Sequence, residues 1–305
     1  MGATAVGKTA AAVALVKQLP LEIISVDSTL VYRGMDIGSA KPDAATLAQA
    51  PHHLLDICEL HEVYSAARFR EDALRHIEDI HRRQRIPLLV GGGMLYFRAL
   101  EAGLSGLPVA DAGVRARLEA EAEQHGWQQL HERLQRIDPQ AAARIHPNDP
   151  QRIQRALEVY ELTGRPISSL QTQQAAQGLN YPLLKLVLTL DDRAELHRRI
   201  EQRFDQMLAQ GLLDEVRALY ERPHADPALP ALRAVGYRQV WEHLQGHYDW
   251  DEMRRRGIVA TRRYAKRQLT WLRSQRDCQR FDASRHDAVK DMASVISGFL
   301  EKLGY

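Results

Sequence analysis

The sequence has little that would cross-link it. Two cysteines in 305 residues, Cys58 and Cys278, are too few and too far apart for a disulfide framework or a four-ligand zinc site. A reducing, cytoplasmic setting is the default expectation. Thirteen histidines lie scattered without a His-Glu-x-x-His spacing, so no metal held in a protein cage is expected. No apolar run approaches the roughly 18 residues that a membrane span needs, and mean hydropathy is -0.39. The N-terminus lacks a basic-then-apolar signal segment. Met1-Gly2 opens like a myristoylation start, but Val6 stands where that motif wants Ser or Thr. A soluble chain without a membrane partner is expected. Lysine is scarce too: 34 of the 41 basic residues are arginines.

Those arginines are unevenly placed. From Arg254 to Arg280 ten basic residues face one acid, Asp277, a net +9, which leaves a net -7 on the rest of a chain whose total is +2. A mildly acidic protein with one strongly basic segment predicts a polyanion docking on one surface.

Short apolar runs ending in Gly or Asp alternate with long amphipathic stretches, the pattern of an α/β fold. Strands are expected at Leu21 to Val26, Pro87 to Val90 and Leu183 to Leu190. Helices are expected at Ala10 to Leu19, Ala66 to Arg83 and Met94 to Leu100. Between Asp111 and Gln177 there is almost no strand signal, only Ala-, Gln-, Glu- and Arg-rich helix with stops at Gly126, Pro147 to Pro150 and Gly164. The Gln-rich piece from Gln171 to Gln177 reads as a flexible connection. The economical organisation is a parallel-sheet core at 1–108 and 181–305, interrupted by a helical insertion at 109–180.

Gly2-Ala3-Thr4-Ala5-Val6-Gly7-Lys8-Thr9 fits Gly-x-x-x-x-Gly-Lys-Ser/Thr at every position. In such a loop the glycines let backbone N–H groups turn toward phosphate oxygens, the lysine adds a mobile charge, and the Thr hydroxyl can ligate Mg²⁺. The following helix contributes its positive N-terminal end. A chance Gly-Lys-Thr turn is the bland alternative. The loop normally follows a buried strand, and here Met1 alone precedes it. The expectation is a recorded start that is late, or neighbouring strand edges left unpaired.

A phosphate loop alone does not separate kinase, NTPase and diphosphate-leaving-group chemistry. Asp27 closes the run Leu21 to Val26 at the carboxyl end of a buried strand, where α/β sheets keep their ligands. It suits a Mg²⁺-positioning carboxylate, a general base, or merely a cap that braces a loop. Asp191-Asp192 after the third apolar run reads better as a helix N-cap than as a metal pair. Val90-Gly91-Gly92-Gly93-Met94 joins a strand to a helix and lets bare backbone approach a ligand.

Several of these segments carry a resemblance. Gly2 to Thr9, Ile24 to Ser28, Tyr32 to Pro42, Pro51 to Ile57, Tyr64 to Ala67, Val90 to Gly92, His146 to Arg152, Val235 to Gln239 and Ala265 to Arg273 together resemble the bacterial tRNA dimethylallyltransferases, in the same order along the chain. The resemblance implies a P-loop NTPase-like parallel-sheet core with a helical insertion. It implies transfer of a dimethylallyl group from dimethylallyl diphosphate to the N6 amine of the adenosine 3′ to the anticodon, with Mg²⁺, by a monomer.

By the same resemblance, the diphosphate sits on Gly2, Ala3, Thr4, Ala5, Val6, Gly7, Lys8 and Thr9, with Thr9 as the metal ligand. Asp27 is the base, and Arg203 and Lys8 face the leaving group. Taken alone, Arg199 and Arg203 on one helix would more often be solvated or paired with Glu195. The tRNA contacts implied are Asp27, Ser28, Thr29 and Leu30; Gly93; Arg115; Gln151, Arg152, Ile153, Gln154 and Arg155; Arg233, Ala234, Val235, Gly236, Tyr237 and Arg238; and Lys266, Arg267, Gln268, Leu269, Thr270, Trp271, Leu272 and Arg273. The insertion is expected to grip the anticodon stem. The chain departs from the pattern at Gly93, where the family commonly has a Thr whose hydroxyl meets substrate.

On a helix from Asp251 to Ser274, Met253, Gly257, Ala260, Tyr264 and Trp271 fall along one stripe, with Arg255, Arg262, Lys266 and Arg273 opposite. Most basic helix faces are simply solvated. The near absence of acids in this segment and the dominance of Arg favour RNA, since guanidinium suits bidentate phosphate contact and base stacking. Core packing is the plainer role for Tyr237 and for the Trp271 ring. A P-loop kinase of a small molecule or nucleotide is the enzymatic alternative. A non-catalytic RNA-binding module would need no phosphate loop.

Overall fold

The computed structural model describes residues 1–104, 106–173, 178–222, 225–227 and 229–304. In chain order the elements are α1 (Lys8–Val16), β1 (Leu21–Val26), α2 (Ala44–Gln49), β2 (His52–His53), α3 (Ala66–Arg82), β3 (Ile86–Gly91), α4 (Met94–Ala102), α5 (Ala112–Ile137), α6 (Pro139–Ala142), α7 (Pro150–Thr163) and α8 (Ile167–Gln173). They continue as β4 (Leu186–Thr189), α9 (Arg193–Ala209), α10 (Leu212–Tyr220), α11 (Tyr237–Leu244), α12 (Trp250–Ser274), β5 (Gln279–Asp282) and α13 (Ala288–Lys302). The chain divides into two compact units, Met1–Ala99 with Asn180–Tyr305, and Leu100–Leu179.

The first unit is the expected α/β fold, and every strand pairing in it is parallel. β1 lies between β2 and β3, in full register with β3 from Leu21 opposite Ile86 to Val26 opposite Gly91. Five of its six residues are buried, which is why its sequence reads as a continuous apolar run rather than an alternating one. The run Leu183 to Leu190 contracts to a four-residue strand, because β5 pairs with it only from Leu186 to Thr189 and Leu183 stays 43% exposed.

Ahead of the glycine loop there is a single parallel bridge, Gly2 to Leu188, with the Leu188 N–H donating to the Met1 carbonyl at 2.9 Å. Among the described residues β3 pairs with β1 alone, and β4 pairs with β5 and that bridge. The parallel sheet is therefore in two pieces among the described residues.

The core of this unit joins Ala3 and Val6 of the loop, Ala11 and Leu15 of α1, Leu186 and Leu188 of β4, Leu196 and Ile200 of α9, Ala265 of α12 and Met292 of α13. Helices α9 and α12 approach closely at Gly257: a Cβ there would lie 2.1 Å from the Phe204 ring. Gly257→Ala is expected to cost about 1–3 kcal/mol by overpacking. Because Phe204 adjoins Arg203, it should also lower activity by more than the fraction unfolded explains. Thermal unfolding and specific activity measured on one preparation check both halves; unchanged activity in a destabilised variant would dismiss the second.

The second unit is helical throughout its described residues. Asp111, Asp138 and Asp149 cap α5, α6 and α7, each accepting a backbone N–H in the first turn. Gly126 (φ 80°, ψ 152°) breaks α5 into two helical segments that meet at a kink, and Gly164 (φ 67°) stops α7. Glu158, with no exposed surface, binds the Arg115 guanidinium through both oxygens and also receives Arg155 and the Asp111 N–H. Burial alone would push this carboxyl up, but the two arginines and the N–H together hold it below its ordinary range. The connection expected at 171–177 is helical through Gln173; its remainder lies outside the described residues.

Candidate active site

The glycine loop turns by way of two left-handed residues, Ala5 (φ 63°) and Gly7 (φ 88°). Gly7 is the N-cap of α1 and offers no side chain, so first-turn N–H groups are left open for an anion. Lys8 folds back, its Nζ donating to the Ala3 carbonyl at 2.6 Å. Thr9, the second residue of α1, is exposed.

Asp27 follows the last residue of β1. Its Oδ1 accepts from both the N–H (2.8 Å) and the Oγ1 (2.6 Å) of Thr29. Oδ1 thus takes the bracing role weighed for Asp27, and among the described residues Oδ2 has no donor. Two cations adjoin it. Burial, with the neighbouring Arg203 adding to it, lowers Lys8 to about 8, while Asp27 opposes both. Arg203 is likewise lowered by burial and supported by Asp27. Burial also pushes the Tyr96 and Tyr264 hydroxyls up, with the Asp27 charge adding to it, so both stay neutral. Asp27, Lys8 and Arg203, separated by up to 195 positions in sequence, form one charge cluster at the carboxyl end of β1 beside the glycine loop.

Arg199 and Arg203 part company here. Arg199 takes the bland role, pairing with Glu195 at 2.7 Å, and Arg203 joins the cluster. Asp192 is an N-cap, accepting from the N–H groups of Ala194 and Glu195. Tyr96 was not singled out by sequence: nothing in its local pattern marks a buried ring whose hydroxyl donates to the Tyr64 carbonyl at 2.9 Å.

The turn after β3 packs backbone against backbone. The Gly93 N–H donates to the Val26 carbonyl at 3.0 Å, and a Cβ at Gly93 would lie 2.9 Å from that same oxygen. A threonine at 93 would therefore press on the residue that precedes Asp27. No cluster of three or more His, Cys, Asp or Glu side chains that could hold a metal occurs among the described residues. The exposed Thr9 hydroxyl beside an open helix N-terminus still fits Mg²⁺, which takes few protein ligands and completes its shell with phosphate oxygens and water.

The residues expected to contact RNA sort by exposure. Ser28, Gln151, Arg152, Arg233, Arg238, Lys266, Arg267, Thr270 and Arg273 are exposed. Thr29, Leu30, Gln154, Ala234, Val235, Leu269 and Trp271 are half-buried, and Trp271 stacks on Phe97 with ring centroids 6.5 Å apart. Ile153, Tyr237, Gln268 and Leu272 are buried, and Gly236 caps α11. Tyr237 donates to Glu215 at 2.7 Å and accepts from the Ser39 N–H at 3.2 Å, while Glu215 also accepts from the N–H groups of Asp36, Ile37 and Gly38. Its ring is structural, as the plainer expectation has it. Arg115 and Arg155 are occupied by Glu158.

The basic segment is less free of acids than its own sequence implies, and two expectations need correcting. Arg255 and Arg256 both pair with Glu252, three and four residues earlier on α12. Arg254 binds Asp205 and Glu201 of α9, and Arg262 binds Glu201. Arg262 is half-buried there rather than on a solvated face, because α9 packs along that flank. The buried stripe is also rotated from the expected one: Met253 and Gly257 belong to it, but it continues through Ile258, Ala265, Gln268 and Leu272. The charge left without acidic partners among the described residues sits toward the C-terminal half, on Arg263, Lys266, Arg267, Arg273, Arg276 and Arg280.

Comparison with known proteins bears on what this site does. Residues 30–275 match the family model described as IPP transferase. The chain is 64% identical to a tRNA dimethylallyltransferase of Alkalilimnicola ehrlichii over 276 residues, 90% of this chain and 87% of that one. It is 58% identical to the tRNA dimethylallyltransferase of Thioalkalivibrio sulfidiphilus, over 97% and 92% of the two chains. Among solved structures, a tRNA isopentenylpyrophosphate transferase from Bacillus halodurans superposes with a TM-score of 0.73 at 40% identity, covering 99% of this chain and 95% of its own. A eukaryotic dimethylallyltransferase acting on tRNA gives 0.79 at 26% identity, covering 99% and 78%.

Proposed function

Since the chain belongs to the IPP transferase family, we propose that it moves the dimethylallyl group of dimethylallyl diphosphate onto the N6 amine of the adenosine 3′ to the anticodon of a tRNA. The products are N6-isopentenyladenosine and pyrophosphate. The observation that carries this reading is one carboxylate, Asp27, set against two cations, Lys8 and Arg203, beside a glycine loop with an uncapped helix end.

Each part matches a demand of the reaction. As the allylic C–O bond breaks, negative charge grows on the departing diphosphate, and Lys8, Arg203 and the loop N–H groups stabilise it. The adenine amine is a weak nucleophile because its lone pair is delocalised into the ring. As the new C–N bond forms, its proton passes to Oδ2 of Asp27, which Thr29 holds in place through Oδ1. Mg²⁺ held at Thr9 would add positive charge to the same leaving group when bound. The relatives lend the alternative of a phosphoryl-transferring kinase no support.

For the RNA, the exposed Lys266, Arg267, Thr270 and Arg273 of α12, together with Arg233 and Ser28, supply phosphate contacts. In the helical unit Gln151 and Arg152 do the same on the first turn of α7. The reacting adenine must leave its stack to reach Asp27. No helix among the described residues is long and apolar enough to cross a membrane, and the reading is of a monomer working in the cytoplasm. The test is direct. Purified protein given dimethylallyl diphosphate, Mg²⁺ and unmodified tRNA should add one prenyl mass to an adenosine. ATP-dependent phosphorylation of a small acceptor without prenylation would overturn the proposal.

A further inference from the structure

Gln268 sits among the exposed basic residues of α12 in sequence, yet it is 2% exposed and points the other way. Its Oε1 accepts from the Thr4 N–H at 2.8 Å, and its Nε2 donates to the Gly92 carbonyl at 3.0 Å. One loop group is a donor and the other an acceptor. A neutral primary amide is the side chain that answers both from one planar group. The approach is so close that a Cβ at Gly92 would lie 2.2 Å from Nε2.

The peptide unit held is the one between Ala3 and Thr4. Its N–H is bound by Gln268, and its carbonyl is bound by Lys8 Nζ at 2.6 Å. When Lys8 turns to a bound diphosphate it releases that carbonyl, and Gln268 then keeps the peptide plane from rotating. A rotated plane would aim a carbonyl oxygen into an anion site.

From this we infer that Gln268 is a positioning residue for the diphosphate donor, although it lies on the helix that serves the RNA. One face of α12 meets the nucleic acid through Lys266 and Arg267, and the opposite face fixes the loop that holds the other substrate. The inference rests on the reading of the loop as a diphosphate site, and its test does not need the transfer reaction.

The experiment measures Mg²⁺-pyrophosphate binding by calorimetry and anticodon stem-loop RNA binding by fluorescence anisotropy. It compares the intact chain with Gln268→Met and with Arg267→Ala. Gln268→Met should weaken pyrophosphate binding at least about tenfold and change RNA affinity less than about twofold, whereas Arg267→Ala should do the reverse. A thermal midpoint within a few degrees of the parent shows that the fold survives. If the methionine variant does not fold, Gln268→Glu takes its place. It keeps the acceptor for Thr4 but loses the donor to Gly92, and the same split is expected. Parent-like pyrophosphate binding by the folded variant, or equal losses for both ligands, would overturn the inference. A parent chain that does not bind pyrophosphate would instead count against the loop assignment itself.

Discussion

Asp27→Ala should reduce prenyl transfer by roughly 10²- to 10⁴-fold, the usual worth of a positioned general base. RNA affinity should stay within a few-fold of the parent. The loss has two components. The proton acceptor disappears, and so does the charge that supports the protonated state of Lys8 against burial. Removing Asp27 therefore lowers Lys8 further, and at pH 8 donor affinity should fall along with turnover. Asp27→Asn separates geometry from chemistry, because an amide oxygen can still accept from the Thr29 N–H and Oγ1. Its turn should stay intact while transfer remains low. Single-turnover rates with saturating tRNA are the measurement, and an Asn variant keeping more than about a tenth of parental rate would rule out Asp27 as the base.

Lys8→Met should cost about 10²- to 10³-fold in kcat/KM for the donor, in line with losing one preorganised charge at a developing anion. The parent should also show a pH dependence that this variant lacks. Burial and Arg203 set Lys8 at about 8 in the folded chain, against an ordinary 10.5. The ammonium is the form that binds diphosphate, so donor affinity should be full below about 8 and fall as pH rises through it. Stability runs the other way. Between about 8 and 10.5 the unfolded chain holds more protons on this group than the folded one, so its contribution to stability increases with pH. Donor KM profiles from pH 6.5 to 9.5 test the first statement. An inflection that survives in Lys8→Met would assign it to another group.

Much of the site was legible without coordinates because its chemistry is local. The glycine loop announces itself by spacing, since backbone N–H groups can turn inward only where small residues permit it. Asp27 follows from the end of an apolar run, since a buried parallel strand delivers its next residue to the ligand edge. The pairing of Glu252 with Arg255 and Arg256 was equally readable, because residues three and four apart on a helix must be neighbours. Glu252 lies just ahead of the basic segment that begins at Arg254. Glu201 and Asp205 were not readable as partners of Arg254, because they come from α9.

The sequence by itself determined the parallel α/β class, the glycine loop, the place of Asp27 at the end of a buried strand and the existence of one basic segment, since each depends on spacing within a single element or turn. Which way each residue of α12 faces was decided by tertiary structure. A rotation of the buried stripe to Ala265, Gln268 and Leu272 turned a residue expected at the RNA surface into a brace for the glycine loop. The fate of Arg199 and Arg203, four residues apart on one helix, was decided the same way. Long-range burial brings Arg203 to Asp27 and leaves Arg199 to Glu195, and no spacing rule carries information about a carboxylate 176 positions away.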